Sequence, residues 1–154
     1  MKEPKQYWLL KSEPETYSID DLKRDKKTAW TGVRNYQARN FMMVMQPGDL
    51  CVFYHSGDEK QAVGVAKVVG KPYADPTQFE AKSHYFDPKA TKEKPRWWLV
   101  DVAFVKKFKR PITLAEVKGD MVLRGMVLAQ ATRLSVQPVS EKHFDYLVEL
   151  SSGA

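Results

Sequence analysis

Cysteine is almost absent from this chain of 154 residues, which contains Cys51 alone. A single cysteine forms neither an intramolecular disulfide nor a cysteine-based zinc cluster. It lies in the apolar run from Leu50 to Tyr54, where it is expected to be a small buried residue. Histidine is scarce as well, and none of the three histidines has metal-ligand spacing from another. We therefore expect neither a metal nor another cofactor.

Glycine-rich phosphate loops and long apolar runs are also missing. The glycines are scattered, so no nucleotide-binding fingerprint can be read from them. The apolar stretch Tyr7–Leu10 is too short for a signal peptide, and the segment Trp97–Val105 has the length of a strand and carries Asp101. A site built from Ser12, His55 and a carboxylate is not supported by their spacing. We expect no enzyme, no membrane association, and a cytoplasmic protein, with association with the nucleoid as the alternative.

The positive charge is concentrated in one segment. The net charge is +6, and residues 82–110 contain nine Lys or Arg and three Asp or Glu, which leaves sixteen of each in the rest of the chain. Part of this segment belongs to a long connection, residues 71–96, of a length typical of functional loops. A localised basic segment is an electrostatic footprint for phosphates. The alternative is a solvated strand edge, where lysines discourage aggregation. Both interpretations stay open at this point.

The chain contains no repeat or linker, and we expect one domain over residues 1–154. Apolar patterns predict strands at 7–11, 49–55, 62–69, 97–108 and 133–136. Helices are predicted to begin at three capping residues, Ser18, Asn35 and Ser140, and a short helix is predicted at 114–118. Strands that outnumber helices and return in hairpins predict an α+β domain with a small, curved, barrel-like sheet.

Polar and aromatic residues gather where predicted strands end and in the loop after the first helix. If the sheet closes, they converge at one mouth, where an aromatic face and nearby hydrogen-bonding groups suit a base taken out of its stack. The alternative is that Trp30 closes the core and Asn35 only caps its helix. Because Trp30 lies in a polar loop, we expect the core to need it less than Trp8 or Trp98. The mouth residues are Lys11, Ser12, Trp30, Val33, Asn35, Tyr54, His55, Ser56, Ser135 and Gln137.

Several blocks of this sequence resemble, in the same order, those of the EVE domain family. The resemblance covers nearly the whole chain, and the block Trp30–Asn40 is the most specific. A member of this family is expected to have a PUA-like fold, with a curved, barrel-like sheet of five or six strands and short flanking helices. The blocks are Tyr7–Pro14, Trp30–Asn40, Pro47–Asp49, Tyr54–Ser56, Trp97–Val102 and Arg133–Val139.

The resemblance implies binding to a modified base. EVE domains are related to YTH domains, which read methylated adenine in RNA through an aromatic pocket, and to the thymocyte nuclear protein. Modified cytosine in DNA is the leading candidate for the EVE family. By similarity to YTH domains, Lys11, Ser12 and Trp30 fall where the base pocket begins. Two alternatives stay open: an RNA-binding module that acts on tRNA or ribosomal RNA, and an enzyme that acts on a nucleotide-like ligand.

We expect a modified base in DNA or RNA to lie against Trp30, with the other mouth residues forming the walls of its pocket. Phosphate contacts would position the strand while pocket contacts select the base. The expected partner is therefore a nucleic acid, and we expect a monomer. The predicted phosphate-binding residues are Arg34, Arg39, Lys106, Lys107, Lys109 and Arg133.

Overall fold

The computed structural model describes residues 5–130 and 133–153, so residues 1–4, 131–132 and 154 of the predicted domain lie outside the described residues. It contains eight strands: β1 (Tyr7–Ser12), β2 (Lys27–Ala29), β3 (Leu50–His55), β4 (Gln61–Val68), β5 (Tyr73–Ala74), β6 (Trp98–Leu99), β7 (Asp101–Thr113) and β8 (Val136–Val139). Six of them form a curved sheet in the order β2-β7-β4-β3-β1-β8. Strands β1 and β3 are parallel, and the other neighbours are antiparallel. Strands β5 and β6 form a separate pair.

Short helices flank this sheet, which confirms the predicted α+β class. They are α1 (Ile19–Asp25), α2 (Tyr36–Val44), α3 (Leu114–Gly119), α4 (Val127–Gln130) and α5 (Glu141–Leu150), with 3₁₀ turns at Pro76–Phe79 and Leu123–Gly125. The predicted caps are confirmed: the side chains of Ser18, Asn35 and Ser140 each accept a backbone N–H in the first turn of α1, α2 and α5. None of the described helices is long and apolar enough to cross a membrane.

The core has one layer on each face of the sheet. Trp8 and Leu10 of β1 pack with α1 and α2 on one face, while Leu9 packs with α3, α4 and α5 on the other. This division follows from the two-residue period of a strand. Cys51 is fully buried, and burial raises the pKa of its thiol.

Irregular pairing brings α1 close to the sheet. The register shifts twice between β4 and β7, which bends the strands. A side chain at Gly64 would lie 2.5 Å from the Lys106 carbonyl oxygen and 2.7 Å from a methyl carbon of Ile19. The absence of a side chain at Gly64 therefore lets α1 and β7 approach β4, and the segment before α1 is held beside the end of β1.

One element prediction was wrong in the central part of the chain, and one strand was not predicted. Helix α1 ends at Asp25, and Lys26, with a φ of +70°, turns the chain into the unpredicted β2. The predicted strand 97–108 is divided into β6 and a longer β7. Trp97 and Trp98 consequently face different surroundings: Trp97 is buried, whereas Trp98 is partly exposed.

The predicted last strand, 133–136, was also wrong in its bounds. Strand β8 begins at Val136, where the predicted strand was to end, and contains Pro138. Proline is tolerated there because β8 is an edge strand that, within the described part of the chain, pairs only with β1, so no second neighbour needs the missing N–H. Residues 133–135 instead approach the end of β1, where the Lys11 N–H donates to the Ser135 carbonyl.

Candidate functional site

A cleft of about 700 Å³ opens at one edge of the sheet, next to the loop that contains Trp30. This volume lies within the range of small-ligand sites. Of the ten predicted mouth residues, the structure brings six to this cleft, together with Arg133 from the predicted phosphate ligands. The six are Lys11, Ser12, Trp30, Val33, Ser56 and Ser135.

The parallel pairing of β1 and β3 explains why these residues meet. Parallel strands end at the same edge of a sheet, and Ser12 is aligned with His55 in the register of the pair. The Ser56 N–H donates to the Ser12 carbonyl at 3.0 Å, and the Lys11 N–H donates to the Ser135 carbonyl at 2.9 Å. Three separate chain segments are thereby fixed around one opening.

Trp30 belongs both to the cleft wall and to the core. Only 8% of its surface is exposed, and its ring meets the rings of Phe53 and Tyr17 edge-on at centroid distances of 5.4 and 6.5 Å. Its backbone N–H donates to the Val100 carbonyl. The expectation that the core needs Trp30 less than Trp98 was wrong, because the loop is polar in sequence but its tryptophan turns inward.

Charged and polar groups supply hydrogen-bonding capacity at the end of β1. The Ser12 hydroxyl donates to the Tyr17 carbonyl at 2.7 Å, so its lone pairs are the part offered to a ligand. The Lys11 ammonium lies 5.8 Å from the centroid of the Tyr54 ring, and partial burial lowers the pKa of Lys11. Glu13, which also lines the cleft, is exposed.

One wall of the cleft is made by the long connection that follows β5. Gly32 has a φ of +89°, and a Cβ at this position would lie 2.5 to 2.9 Å from three carbons of the Tyr85 ring. Tyr85 therefore rests directly on the backbone of the Trp30 loop. This close contact requires glycine both for its backbone conformation and for its missing side chain.

A buried carboxylate, Asp75, ties the two loops together. It accepts hydrogen bonds from the Gly32 N–H at 2.9 Å, from the N–H and hydroxyl of Thr77 at 2.8 and 2.6 Å, and from the Arg34 guanidinium at 3.1 Å. Burial by itself raises the pKa of Asp75, but the hydrogen bonds from Thr77, Gly32 and Arg34 outweigh it and hold the pKa below its usual value. The ionised carboxylate thus stabilises this wall.

Arg34 is part of the same loop network. Its guanidinium donates to the Tyr85 carbonyl at 2.8 Å and lies 5.3 and 5.4 Å from the ring centroids of Tyr85 and Trp97. Together with its ion pair to Asp75, these contacts direct Arg34 towards the connection after β5. Arg34 was predicted to bind phosphate, and the contacts in the structure make it a link between the two loops.

The remaining four mouth residues lie outside the cleft lining. Asn35 caps α2, and Tyr54 packs in the core layer on the opposite face of the sheet. His55 is buried: its Nε2 accepts the first backbone N–H of α1 at 3.1 Å, and its Nδ1 lies 2.9 Å from Glu59. Gln137 is buried and donates to a backbone carbonyl. In these positions the four side chains support the walls of the cleft.

Across the described residues, no three His, Cys, Asp or Glu side chains are grouped as a metal site.

The predicted phosphate-binding lysines of β7 lie away from the cleft. We call Lys106, Lys107 and Lys109 the β7 lysines; all three are exposed. Lys107 forms an exposed ion pair with Asp20 at 2.9 Å. Val102 pairs with Thr28 of the cleft wall, and Lys106 lies roughly 13 Å further along the strand at about 3.3 Å per residue.

A model of the EVE domain matches residues 6–150. The chain belongs to the EVE domain family. It is 41% identical over 170 residues to human Thymocyte nuclear protein 1, an alignment that covers 97% of this chain and 76% of that protein. A crystal structure of human THYN1 in complex with 5-methylcytosine containing DNA matches with a TM-score of 0.90 and 41% identity, over 95% of this chain and 97% of that one. A hypothetical protein from Leishmania major matches with a TM-score of 0.93 and 48% identity, over 97% and 96% of the two chains.

This EVE domain has the PUA-like fold that its sequence blocks predicted, with six strands in the curved sheet. Sequence reasoning missed part of the cleft, although the length of the connection 71–96 was a signal for one wall. No signal pointed to the residues of β2, because that strand was not predicted. The missed residues are Glu13, Thr16, Tyr17, Thr28, Ala29, Thr31, Gly32, His84 and Tyr85.

Proposed function

We propose that this EVE domain binds DNA and holds a modified cytosine, 5-methylcytosine first among the candidates, in the cleft beside Trp30. The observation that carries the proposal is the likeness to human THYN1, which is 41% identical in sequence to this chain and whose structure was solved in complex with 5-methylcytosine containing DNA. In this proposal the domain binds the base without converting it, and the selected base is swung out of the duplex because the cleft is enclosed by protein on several sides.

The lining of the cleft suits the edge of cytosine. Cytosine presents an exocyclic amino donor beside acceptor atoms. The Ser12 lone pairs or the Glu13 carboxylate would accept from the amino group, as acidic side chains do in other cytosine contacts. Trp30 and Val33 would provide the apolar surface for the ring and its methyl group. Arg133, at the rim, would contact a phosphate.

The size of the expected preference follows from the methyl group. One additional methyl in an apolar site contributes about 1–3 kcal/mol, which corresponds to roughly 10- to 200-fold in affinity. We expect the lower end of this range, because the cleft has polar as well as apolar walls. The domain should therefore bind a methylated duplex about tenfold more tightly than its unmethylated counterpart.

Fluorescence anisotropy with matched DNA and RNA strands, each carrying cytosine, 5-methylcytosine, other modified cytosines or methylated adenine, tests the proposal. We expect the tightest binding to methylated DNA and no change in the mass of the base after incubation. Tighter binding to RNA would support the tRNA or ribosomal RNA alternative, and a converted base would support an enzyme.

The variant Ser12→Ala removes one proposed base contact. We expect it to reduce the preference for the methylated duplex and to leave the melting temperature close to that of the wild type. Ser152→Ala is the matched control, because Ser152 is exposed near the C-terminal end and its hydroxyl also donates to a backbone carbonyl, at 2.7 Å. Equal preferences in the two variants would contradict the assignment of Ser12.

A further inference from the structure

Two arginines surround one exposed tyrosine next to the cleft. Tyr36, the first residue of α2, is 46% exposed. The guanidinium carbons of Arg39 and Arg96 lie 4.8 and 5.7 Å from the centroid of its ring. Arg96 also donates to the Tyr36 hydroxyl, and Arg39 donates to the Arg96 carbonyl at 3.0 Å. These contacts hold both guanidinium groups at one place on the surface.

The charge of this cluster is only partly balanced. The Arg39 guanidinium donates to the side-chain oxygen of Asn40 and to the Arg96 carbonyl, both neutral, and within residues 5–130 and 133–153 no carboxylate lies at ion-pair distance from it. Arg96 has one carboxylate, Asp87, at 3.6 Å, which also accepts the indole N–H of Trp97. Two neighbouring cations of which only one has a carboxylate partner repel each other, and an added anion would reduce that cost.

The cluster is connected to the cleft by a continuous series of stacked groups. Tyr36 stacks on Trp97, with centroids 5.0 Å apart and an angle of 23° between the rings. The Arg34 guanidinium also lies 5.4 Å from the centroid of the Trp97 ring, and it lies 5.3 Å from the ring of Tyr85 at the cleft. The positions of the two partly exposed guanidinium groups are therefore fixed relative to the cleft wall.

We propose that Tyr36, Arg39 and Arg96 form a phosphodiester clamp, which holds the DNA strand beside the nucleotide in the cleft. The planar fork of a guanidinium matches the oxygens of a phosphate, and here the tyrosine ring orients two such forks. The clamp contributes affinity that does not depend on the base, since it contacts the backbone alone. This inference rests on the proposed function, because the clamp acts on the strand whose base enters the cleft.

The salt dependence of DNA binding tests the clamp. The probes are a short duplex with a single 5-methylcytosine and the same duplex without the methyl group. Each phosphate contact that is lost reduces the slope of log K against log salt by about 0.9. We therefore expect Arg39→Gln and Arg96→Gln each to flatten the slope by about that amount. Both variants should leave the ratio of affinities for the two duplexes unchanged.

Arg110→Gln is the matched control, because it changes the net charge equally. The Arg110 guanidinium is neutralised by two hydrogen bonds of 2.9 Å to Glu116, and its backbone N–H donates to Ser151 near the end of α5. The salt slope of DNA binding by Arg110→Gln should equal that of the wild type. If Arg39→Gln and Arg110→Gln give the same slope, the clamp is overturned.

Substitutions of Tyr36 separate an orienting ring from a structural one. Tyr36→Phe keeps the ring, and we expect it to retain most of the slope, whereas Tyr36→Ala should flatten the slope although both arginines are present. Melting temperatures check that both variants fold. If the wild-type protein binds the two duplexes equally, the proposed base reading is overturned. If Tyr36→Ala and Arg39→Gln keep the wild-type salt slope and the wild-type preference for the methylated duplex, only the clamp is overturned.

Discussion

Replacing Gly32 by alanine tests whether the connection after β5 shapes the cleft. The φ of +89° at Gly32 lies in the left-handed region, where a residue with a side chain costs about 1–2 kcal/mol. The added Cβ would also lie 2.5 Å from Cζ of Tyr85 and 2.8 and 2.9 Å from two neighbouring ring carbons. No real Cβ tolerates such distances, so the Tyr85 ring must move.

Gly48 provides the control for backbone strain alone. Its φ is +96°, and a Cβ added there would meet no atom of the described residues within 4 Å apart from its two chain neighbours. Gly48→Ala should therefore lower the free energy of unfolding by about 1–2 kcal/mol. Gly32→Ala adds an overpacking cost of about 1–3 kcal/mol to the same strain, which gives a total loss of about 2–5 kcal/mol.

The effect on binding distinguishes the two glycines more sharply. Displacement of Tyr85 changes one wall of the cleft, and we expect Gly32→Ala to weaken binding to the methylated duplex about tenfold, or about 1.4 kcal/mol. Gly48→Ala should bind like the wild type. Urea denaturation measures the stabilities, and fluorescence anisotropy measures the affinities.

A double variant isolates the contact between Gly32 and Tyr85. Replacing Tyr85 by alanine removes the ring that the new Cβ would meet, so Gly32→Ala should cost less stability in a Tyr85→Ala background than in the wild type. The reasoning would be refuted if Gly32→Ala lost no more stability than Gly48→Ala and retained the wild-type affinity.

Three further predictions concern stability, pH and salt. Trp30→Ala should lower the free energy of unfolding by about 3–5 kcal/mol in urea denaturation, because the ring is part of the core, and Trp30→Phe should cost less. Hydrogen bonds hold the pKa of Asp75 below its ordinary value of 3.8, so the ionised carboxylate contributes its full stabilisation above pH 3.8 and loses it as the pH falls through the lowered pKa. Asp75→Asn should therefore lower the melting temperature at neutral pH and make the melting temperature less dependent on acid pH. Replacing all three β7 lysines by glutamine should flatten the salt slope of DNA binding by up to about one unit for each lysine that contacts a phosphate, and an unchanged slope would indicate a solvated strand edge.

Local sequence was sufficient for the helix starts and most of the strands. Ser18, Asn35 and Ser140 each cap a helix through a contact that spans three residues, so neighbouring residues alone specify it. A strand was likewise predicted at 7–11, and in β1 the two-residue period places Trp8 and Leu10 on one face of the sheet and Leu9 on the other. The ordered blocks between Tyr7 and Val139 were specific enough to indicate the family.

Local sequence misjudged the elements whose form depends on a distant partner. Strand β2 forms because it can pair with β7. Strand β8 tolerates a proline because, among residues 5–130 and 133–153, no strand pairs with its outer side. Trp30 was interpreted from the polar residues beside it in the chain. Its burial depends on Phe53, which lies on another strand.

The cleft itself was decided by tertiary structure. The ends of β1 and β3 meet because these strands pair in parallel, a choice that neither strand pattern encodes by itself. The glycine at position 32 was visible in the sequence, but the Tyr85 ring that requires it comes from a distant connection, held in place by the buried carboxylate of Asp75. Contacts between residues far apart in the chain form only when the whole fold brings them together, and this is why the walls of the site could not be assigned from the sequence.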